Sequence, residues 1–194
     1  SGMAGDSGRG TAVLLRTARH TLLFDTGARL PTGVDMGERV LLPLLRTLGV
    51  RELDTLTISH ADTDHVGGAL SVLTGVTVHE LRSTLEDAHP VRQWPLPRRR
   101  GVVPHVPCVA GQHWTWEGVR FDVLHPTLTD IEQRDRQTSN ALSCVLRVTT
   151  TGPDARSVLL TGDIEAAQER ALLARWAAPA LSGEAPMSLR STVL

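Results

Sequence analysis

Apolar and polar positions alternate along this chain in short runs whose period changes several times. Residues 11–16 and 21–25 alternate with a period of two and predict two strands around a turn at Ala18-Arg19-His20. Leu41, Leu44, Leu45 and Leu48 then follow helical spacing, with Pro43 either in the first turn or kinking the helix and Gly49 as a C-terminal stop. Residues 53–59 read as one buried strand, with Leu53, Leu56 and Ile58 among β-favouring threonines. A short helix over 68–73 and a strand over 76–81 follow. Residues 83–112 hold Pro90, Pro95, Pro97, Pro104 and Pro107 with little periodicity, and predict a long surface loop. Beyond it, 113–116 and 119–124 form a hairpin pattern about Glu117-Gly118, and 141–150 and 158–161 two strands joined by Gly152-Pro153-Asp154. A final helix over 164–176 places Ile164, Ala167, Ala171 and Leu172 on one face. This order predicts an α/β fold, a two-layer β core with helices outside.

The strand over 53–59 runs into His60-Ala61-Asp62-Thr63-Asp64-His65, with Gly67-Gly68 behind it. Open α/β sheets bind ligands where strands end. In extended backbone His60 and Asp62 point to one side, whereas the adjacent Asp64 and His65 must be splayed by a turn. That geometry fits two neighbouring metals. Clustered carboxylates do not coexist comfortably without a cation. Imidazole with carboxylate suits Zn, Mn or Fe, and the extra Asp moves the preference towards Mn. The competing reading is a polar loop whose histidines cap the next helix.

The chain has 194 residues, enough for one good-sized domain or two small ones. Its formal net charge of −1 gives no whole-molecule attraction to nucleic acid. All 20 basic residues are Arg, which fits a coding bias as well as phosphate binding. No apolar stretch approaches the roughly 18 residues that span a bilayer. Residues 1–5 read as a cloning remnant or disordered, and 6–194 as one domain. Cys108 and Cys144 allow a single pairing, and neither has metal-type spacing. The Arg98-Arg99-Arg100 run could grip phosphates or be a solvated turn, and Arg134 or Arg136 is a further candidate. Trp94 is the tryptophan placed to stack a base.

The acidic cluster resembles the H-x-H-x-D-H pattern of the metallo-β-lactamase superfamily, with Asp62 in place of the second His. That replacement, with Ser59 before it and Gly67-Gly68 after it, resembles the C-terminal domain of the ComEC family of DNA-uptake channel proteins. Asp25-Thr26-Gly27 resembles the superfamily's first motif, Asp6-Ser7-Gly8-Arg9-Gly10 the stretch that opens the domain, and Leu159-Leu160-Thr161-Gly162-Asp163 the motif whose Asp bridges two metals. Trp114 to Gly118 and Leu124-His125-Pro126 fall where ComEC sequences carry similar segments. The third motif departs: 136–140 holds no His, leaving Ser139 or Asn140 as weak stand-ins. A fifth motif would follow a strand opening near Ser191, so the chain reads as a truncated domain lacking its last ligand, with a short natural variant as the alternative.

The resemblance implies an αββα sandwich with His60 and Asp62 on one divalent ion, Asp64 and His65 on the other, Asp163 between them, and Asp25 orienting a ligand from behind. It implies a metal-dependent nuclease that degrades the non-transported DNA strand during natural transformation, with Asp64 and Asp25 central to catalysis. The implied partners are DNA and a transmembrane channel domain, with no small-molecule cofactor, on the periplasmic face of the inner membrane. In an oxidising compartment a Cys108–Cys144 bridge is expected, although Cys144 could equally be an inert buried thiol. Metal binding by the truncated chain is expected to be weak, since coordination number sets affinity. The rival readings are a non-catalytic module that guides DNA to the channel, and a hydrolase of the same fold with another substrate.

Overall fold

Strand alternation translates directly into layers in the computed structural model, which describes residues 11–177. The first sheet contains β1 (Val13–Arg16), β2 (Thr21–Phe24), β4 (Thr55–Ile58), β6 (Leu81–Ser83) and β7 (His105–Pro107), side by side in that order. β1 is antiparallel to β2, and the other pairs are parallel. The second sheet is an antiparallel meander of β8 (His113–Trp116), β9 (Val119–His125), β10 (Val145–Thr150) and β11 (Ser157–Leu160). β3 (Glu52–Leu53) and β5 (Thr77–Val78) make a small parallel pair of their own.

Because side chains alternate across a strand, β2 serves two cores. Leu22 and Phe24 join Phe121, Val123, Leu146 and Val148 between the sheets. Leu23 faces the other way, with Leu56, Ile58 and Leu81, onto Leu45 of α1 (Leu42–Thr47) and Val72 and Leu73 of α3 (Ala69–Gly75). On the far side of the second sheet, Leu124 and Val145 pack with Leu172 of α6 (Ala166–Ala177). The result is the expected helix–sheet–sheet–helix sandwich. Each fully buried Leu or Phe contributes roughly 1.5–3 kcal/mol of transfer free energy.

Several local expectations change. The run 53–59 is divided at Asp54, whose carboxylate accepts the Thr21 N–H at 2.8 Å, and 76–81 is likewise shared between β5 and β6. A π-helical turn, Gly37–Leu41, precedes α1. Leu41, Leu42 and Leu45 are buried there while Leu44 and Leu48 are exposed, so the face is rotated from the predicted one. Among the described side chains of α6 Leu172 is buried, whereas Ala167 and Ala171 face solvent. The segment 83–112 is not a mere surface excursion. It donates Leu85, Val91 and Val103 to the helix-side core and adds β7 as an edge strand, where Pro107 is tolerated because no further strand needs its missing N–H. The Asp6 motif, residues 1–5 and the strand expected near Ser191 lie outside the described residues. No helix among the described residues is long and apolar enough to cross a membrane.

Candidate metal centre

The chain returns to one spot at the C-terminal ends of β2 and β4. β2 ends in Asp25, which is fully buried and held at φ 61°, in the left-handed region that Asp tolerates better than most residues. Its Oδ1 accepts the Ser59 N–H at 2.7 Å, and its Oδ2 accepts the Ser59 hydroxyl at 2.6 Å and faces His65 Nδ1 at 2.8 Å. The next residue, Thr26, ties this loop to the helical turn α2 (Thr63–Val66), its N–H and hydroxyl reaching the His65 carbonyl at 2.8 and 2.9 Å. Gly67-Gly68 lets these backbones touch: a Cβ on Gly68 would lie 2.5 Å from the Gly37 nitrogen and from the Thr26 carbonyl oxygen.

This network sets the histidine tautomers. A carboxylate only accepts, so His65 Nδ1 carries the proton it gives to Asp25, and Nε2 points the other way. The Ser59 hydroxyl spends its one hydrogen on Asp25, so His60 Nδ1, 2.8 Å away, must donate to Ser59. The bare lone pair of His60 then sits on Nε2, which is buried and has no hydrogen-bond partner. Around it stand Asp62 Oδ2 at 3.5 Å and Asp163 Oδ2 at 3.6 Å, both acceptors. Asp163 Oδ2 is also 2.9 Å from His65 Nε2, and Asp64 Oδ2 is 3.4 Å from it. A buried lone pair facing two carboxylates calls for a cation.

His60 Nε2, His65 Nε2 and an Asp163 oxygen lie within 4.8 Å of one another, a spacing one ion could span. Their side chains arrive from different layers. Asp163 follows β11 of the second sheet, its N–H donated to Ser143 Oγ at 3.2 Å. The preceding Gly162 has φ 53°, and a Cβ there would fall 2.7 Å from Ser59 Cβ, so this turn can approach β4 only as glycine. The two imidazole rings are 4.3 Å apart and respond oppositely. Burial, reinforced by the positive charge of His65, lowers the His60 pKa against the pull of Asp25, Asp62 and Asp163. Burial opposes charging of His65 as well, but its Asp25 hydrogen bond and the charges of Asp25, Asp163 and Asp64 outweigh it and raise the pKa to about 9.

All five residues expected as ligands therefore converge, with Asp25 directly behind them. Asp62, Asp64 and Asp163 keep 43%, 51% and 42% of their side chains open, so a substrate can reach this face. Asp64 and His65 both sit on α2, where helical rather than turn geometry separates them. Ser139 lies alongside, its Oγ accepting the Ala61 N–H at 3.3 Å, and the buried Asn140 Oδ1 has no partner. The proposed DNA-contact group is not brought here. Arg99 donates to the Val78 carbonyl at 2.7 Å, near the starts of the parallel strands, and Arg98 and Arg99 line a cavity at that opposite end. Arg100 lies in the same loop, before β7. Trp94 packs on the helix-side core and donates to Thr74 Oγ1 at 3.2 Å, so it is a packing residue rather than a free stacking face. Cys108 and Cys144 form a disulfide, both fully buried. Sequence reasoning missed Ser143, an ordinary serine before a strand, which no pattern could have singled out.

The metallo-β-lactamase superfamily model matches residues 5–133. Among curated proteins, the chain is 32% identical over 184 residues to competence protein ComA of Neisseria gonorrhoeae, covering 88% of this chain and 21% of that protein. It is 34% identical over 167 residues to recombination protein 2 of Haemophilus influenzae, covering 85% and 18% respectively. The chain thus spans about a fifth of the length of these relatives. Among solved structures, a Cronobacter sakazakii metallo-β-lactamase HARLDQ-motif mutant superposes with a TM-score of 0.55 over 89% of this chain and 71% of that one, at 18% identity, a likeness of fold.

Proposed function

The chain belongs to the metallo-β-lactamase superfamily, and on that premise we propose that it is a metal-dependent hydrolase of DNA phosphodiester bonds, serving DNA uptake within a longer membrane protein. One observation carries the reading: His60 Nε2, buried and unpartnered, turns its lone pair towards two carboxylates beside a second imidazole. The donor set fits a pair of divalent cations, Mn before Zn. His60 with Asp62 would hold one, His65 with Asp64 the other, and Asp163 would stand between. Such a pair supplies an acidified water and charge neutralisation for in-line phosphoryl displacement.

The chain's own residues do the rest. Asp25 and Ser59 hold both imidazoles in the tautomer that presents Nε2 outward. Asp62, Asp64 and Asp163 form an open acidic mouth that would repel a phosphodiester unless cations sit between them, which ties substrate entry to metal loading. The relatives named for competence and recombination support nucleic acid as the substrate class, and their greater length leaves room for the channel domain in the same polypeptide. The Cys108–Cys144 disulfide supports placement outside the cytoplasm. A second reading, a DNA-guiding module with a degenerate site, draws on the lack of a His over 136–140, where the family resemblance implies a ligand and only Ser139 or Asn140 stands in.

The test is cleavage of linear DNA by the protein carrying this domain, with Mn added. Asp64→Ala and Asp163→Asn should each abolish cleavage while circular dichroism stays unchanged. DNA binding without any cleavage by the parent would favour the guiding module instead.

A further inference from the structure

A cavity of about 390 Å³ opens directly beside the metal centre and is not used by any of the ligands described above. Ala61, between His60 and Asp62, forms one wall. Thr84, Ala88 and His89, after β6, form another, and Arg134, Gln137 and Ser139 a third. Its polar groups are held in fixed states. Arg134 donates one N–H to the Thr84 carbonyl at 2.6 Å and makes no ion pair with a carboxylate among the described residues, leaving most of its donor fork unspent. His89 Nδ1 accepts the Val91 N–H at 3.2 Å as the N-cap of α4 (Pro90–Gln93), so Nε2 carries the ring proton. Ser139 Oγ accepts from Ala61, which leaves its own hydrogen to give. Gln137 spends Nε2 on the Asp130 carbonyl at 3.1 Å and keeps Oε1 as an acceptor. Between these groups the walls are apolar, with Leu85 and Leu142. Exposed Glu86 adds one negative charge, while the adjacent Asp87 is neutralised by Arg92 at 2.6 Å.

We propose that this cavity seats the nucleotide adjoining the phosphate held at the metal centre. Arg134 takes an oxygen of its phosphate, and His89, Ser139 and Gln137 hydrogen-bond its sugar and base edges. The chemistry matches: one cationic fork for a phosphate, donors and an acceptor for base edges, and apolar surface for sugar and ring faces. The volume falls in the range of small-molecule sites. The inference rests on the hydrolase reading above and adds a specificity site to it.

The two are separated by comparing thymidine 3′,5′-bisphosphate, which carries one phosphate for the metal centre and a second for Arg134, with inorganic phosphate, each titrated into the Mn-supplemented protein by calorimetry. The parent should prefer the nucleotide at least tenfold. Arg134→Gln should cut that preference at least fivefold. Because Arg134 also supports the Thr84 loop, His89→Asn serves as a second variant that keeps a side-chain cap and removes the imidazole. It should cut the preference at least threefold. A parent with less than tenfold preference, or variants that keep theirs, would overturn the subsite and leave the metal centre standing. A parent that binds neither Mn nor phosphate overturns both readings.

Discussion

At the residue scale, Asp25 never touches the open face of the site, yet it orients both imidazoles, His65 directly and His60 through Ser59. Asp25→Asn keeps the left-handed backbone accessible but replaces one acceptor oxygen with an N–H₂ group. It should lower Mn affinity about 10–100-fold, read by calorimetry, with little change in fold. Protonation gives a second expectation. His65, with a pKa of about 9, is cationic at neutral pH, and a metal needs it neutral. Mn binding at pH 7 should therefore release a proton, visible as a buffer-dependent heat, and affinity should climb as pH rises towards 9. Without metal the sign for stability is opposite: the imidazolium's contribution is complete below an unfolded value near 6.5 and is lost as pH rises through about 9. His105 behaves in the other direction. Burial, with Arg92 and Arg82 nearby, depresses its pKa to about 4 despite Asp87 and its hydrogen bond to Ser83. Its neutral form stabilises the fold above pH 6.5, and that contribution fades as pH falls towards 4. His105→Gln should flatten this acid limb in urea titrations by about 1 kcal/mol, a figure reduced for partial solvent screening.

At the element scale, the turn from β11 to Asp163 combines a left-handed φ with a close approach to Ser59. Gly162→Ala would impose both a left-handed φ on alanine and a Cβ clash with Ser59. It should cost about 1–3 kcal/mol in urea unfolding and weaken metal binding by pushing Asp163 away from His65. Unchanged metal affinity in a folded Gly162→Ala protein would mean that Asp163 is placed by α6 rather than by this turn. The same turn shows how far the sequence could be read. Leu159 to Asp163 was legible because an apolar strand ending in Gly-Asp leaves a carboxylate at a sheet edge. The 60–65 cluster was legible for a similar reason, a strand delivering polar groups at its end. β7 is hidden because prolines mask the period-two pattern of an edge strand, and the buried face of α6 is illegible because alanines carry too little hydrophobicity to mark it. Arg98 to Arg100 stand out in the sequence by charge alone. Only the course of the chain over 83–112 shows that they stand at the end of the parallel strands opposite the 60–65 cluster, whereas Arg134 lines the cavity beside Ala61.

At the scale of the whole molecule, the candidate metal centre lies across the seam between the two sheets: Asp25, His60 and His65 belong to the first and Asp163 to the second. What holds the seam closed therefore also sets the ligand spacing. Cys108 follows β7 and Cys144 precedes β10, so their disulfide joins the sheets, and the Cys144 N–H donates to the Ser59 carbonyl at 2.8 Å while neighbouring Ser143 holds Asp163. With a sequence separation of 36 between the cysteines, loop-closure entropy assigns the bridge about 4 kcal/mol. Replacing both cysteines with alanine should lower the urea midpoint accordingly. The more telling measurement is the Mn dissociation constant of whatever remains folded at low urea. If the bridge only constrains the unfolded chain, that constant will match the parent's. If the bridge also keeps the second sheet's carboxylate within reach of the first sheet's imidazoles, Mn affinity will fall by a larger factor than in any variant that loosens the fold away from the seam. The direct run of contacts from Cys144 through Ser59 to His60 and Asp25 favours the second outcome, and a Leu45→Ala protein, destabilised on the helix side of the first sheet, is the control that separates them.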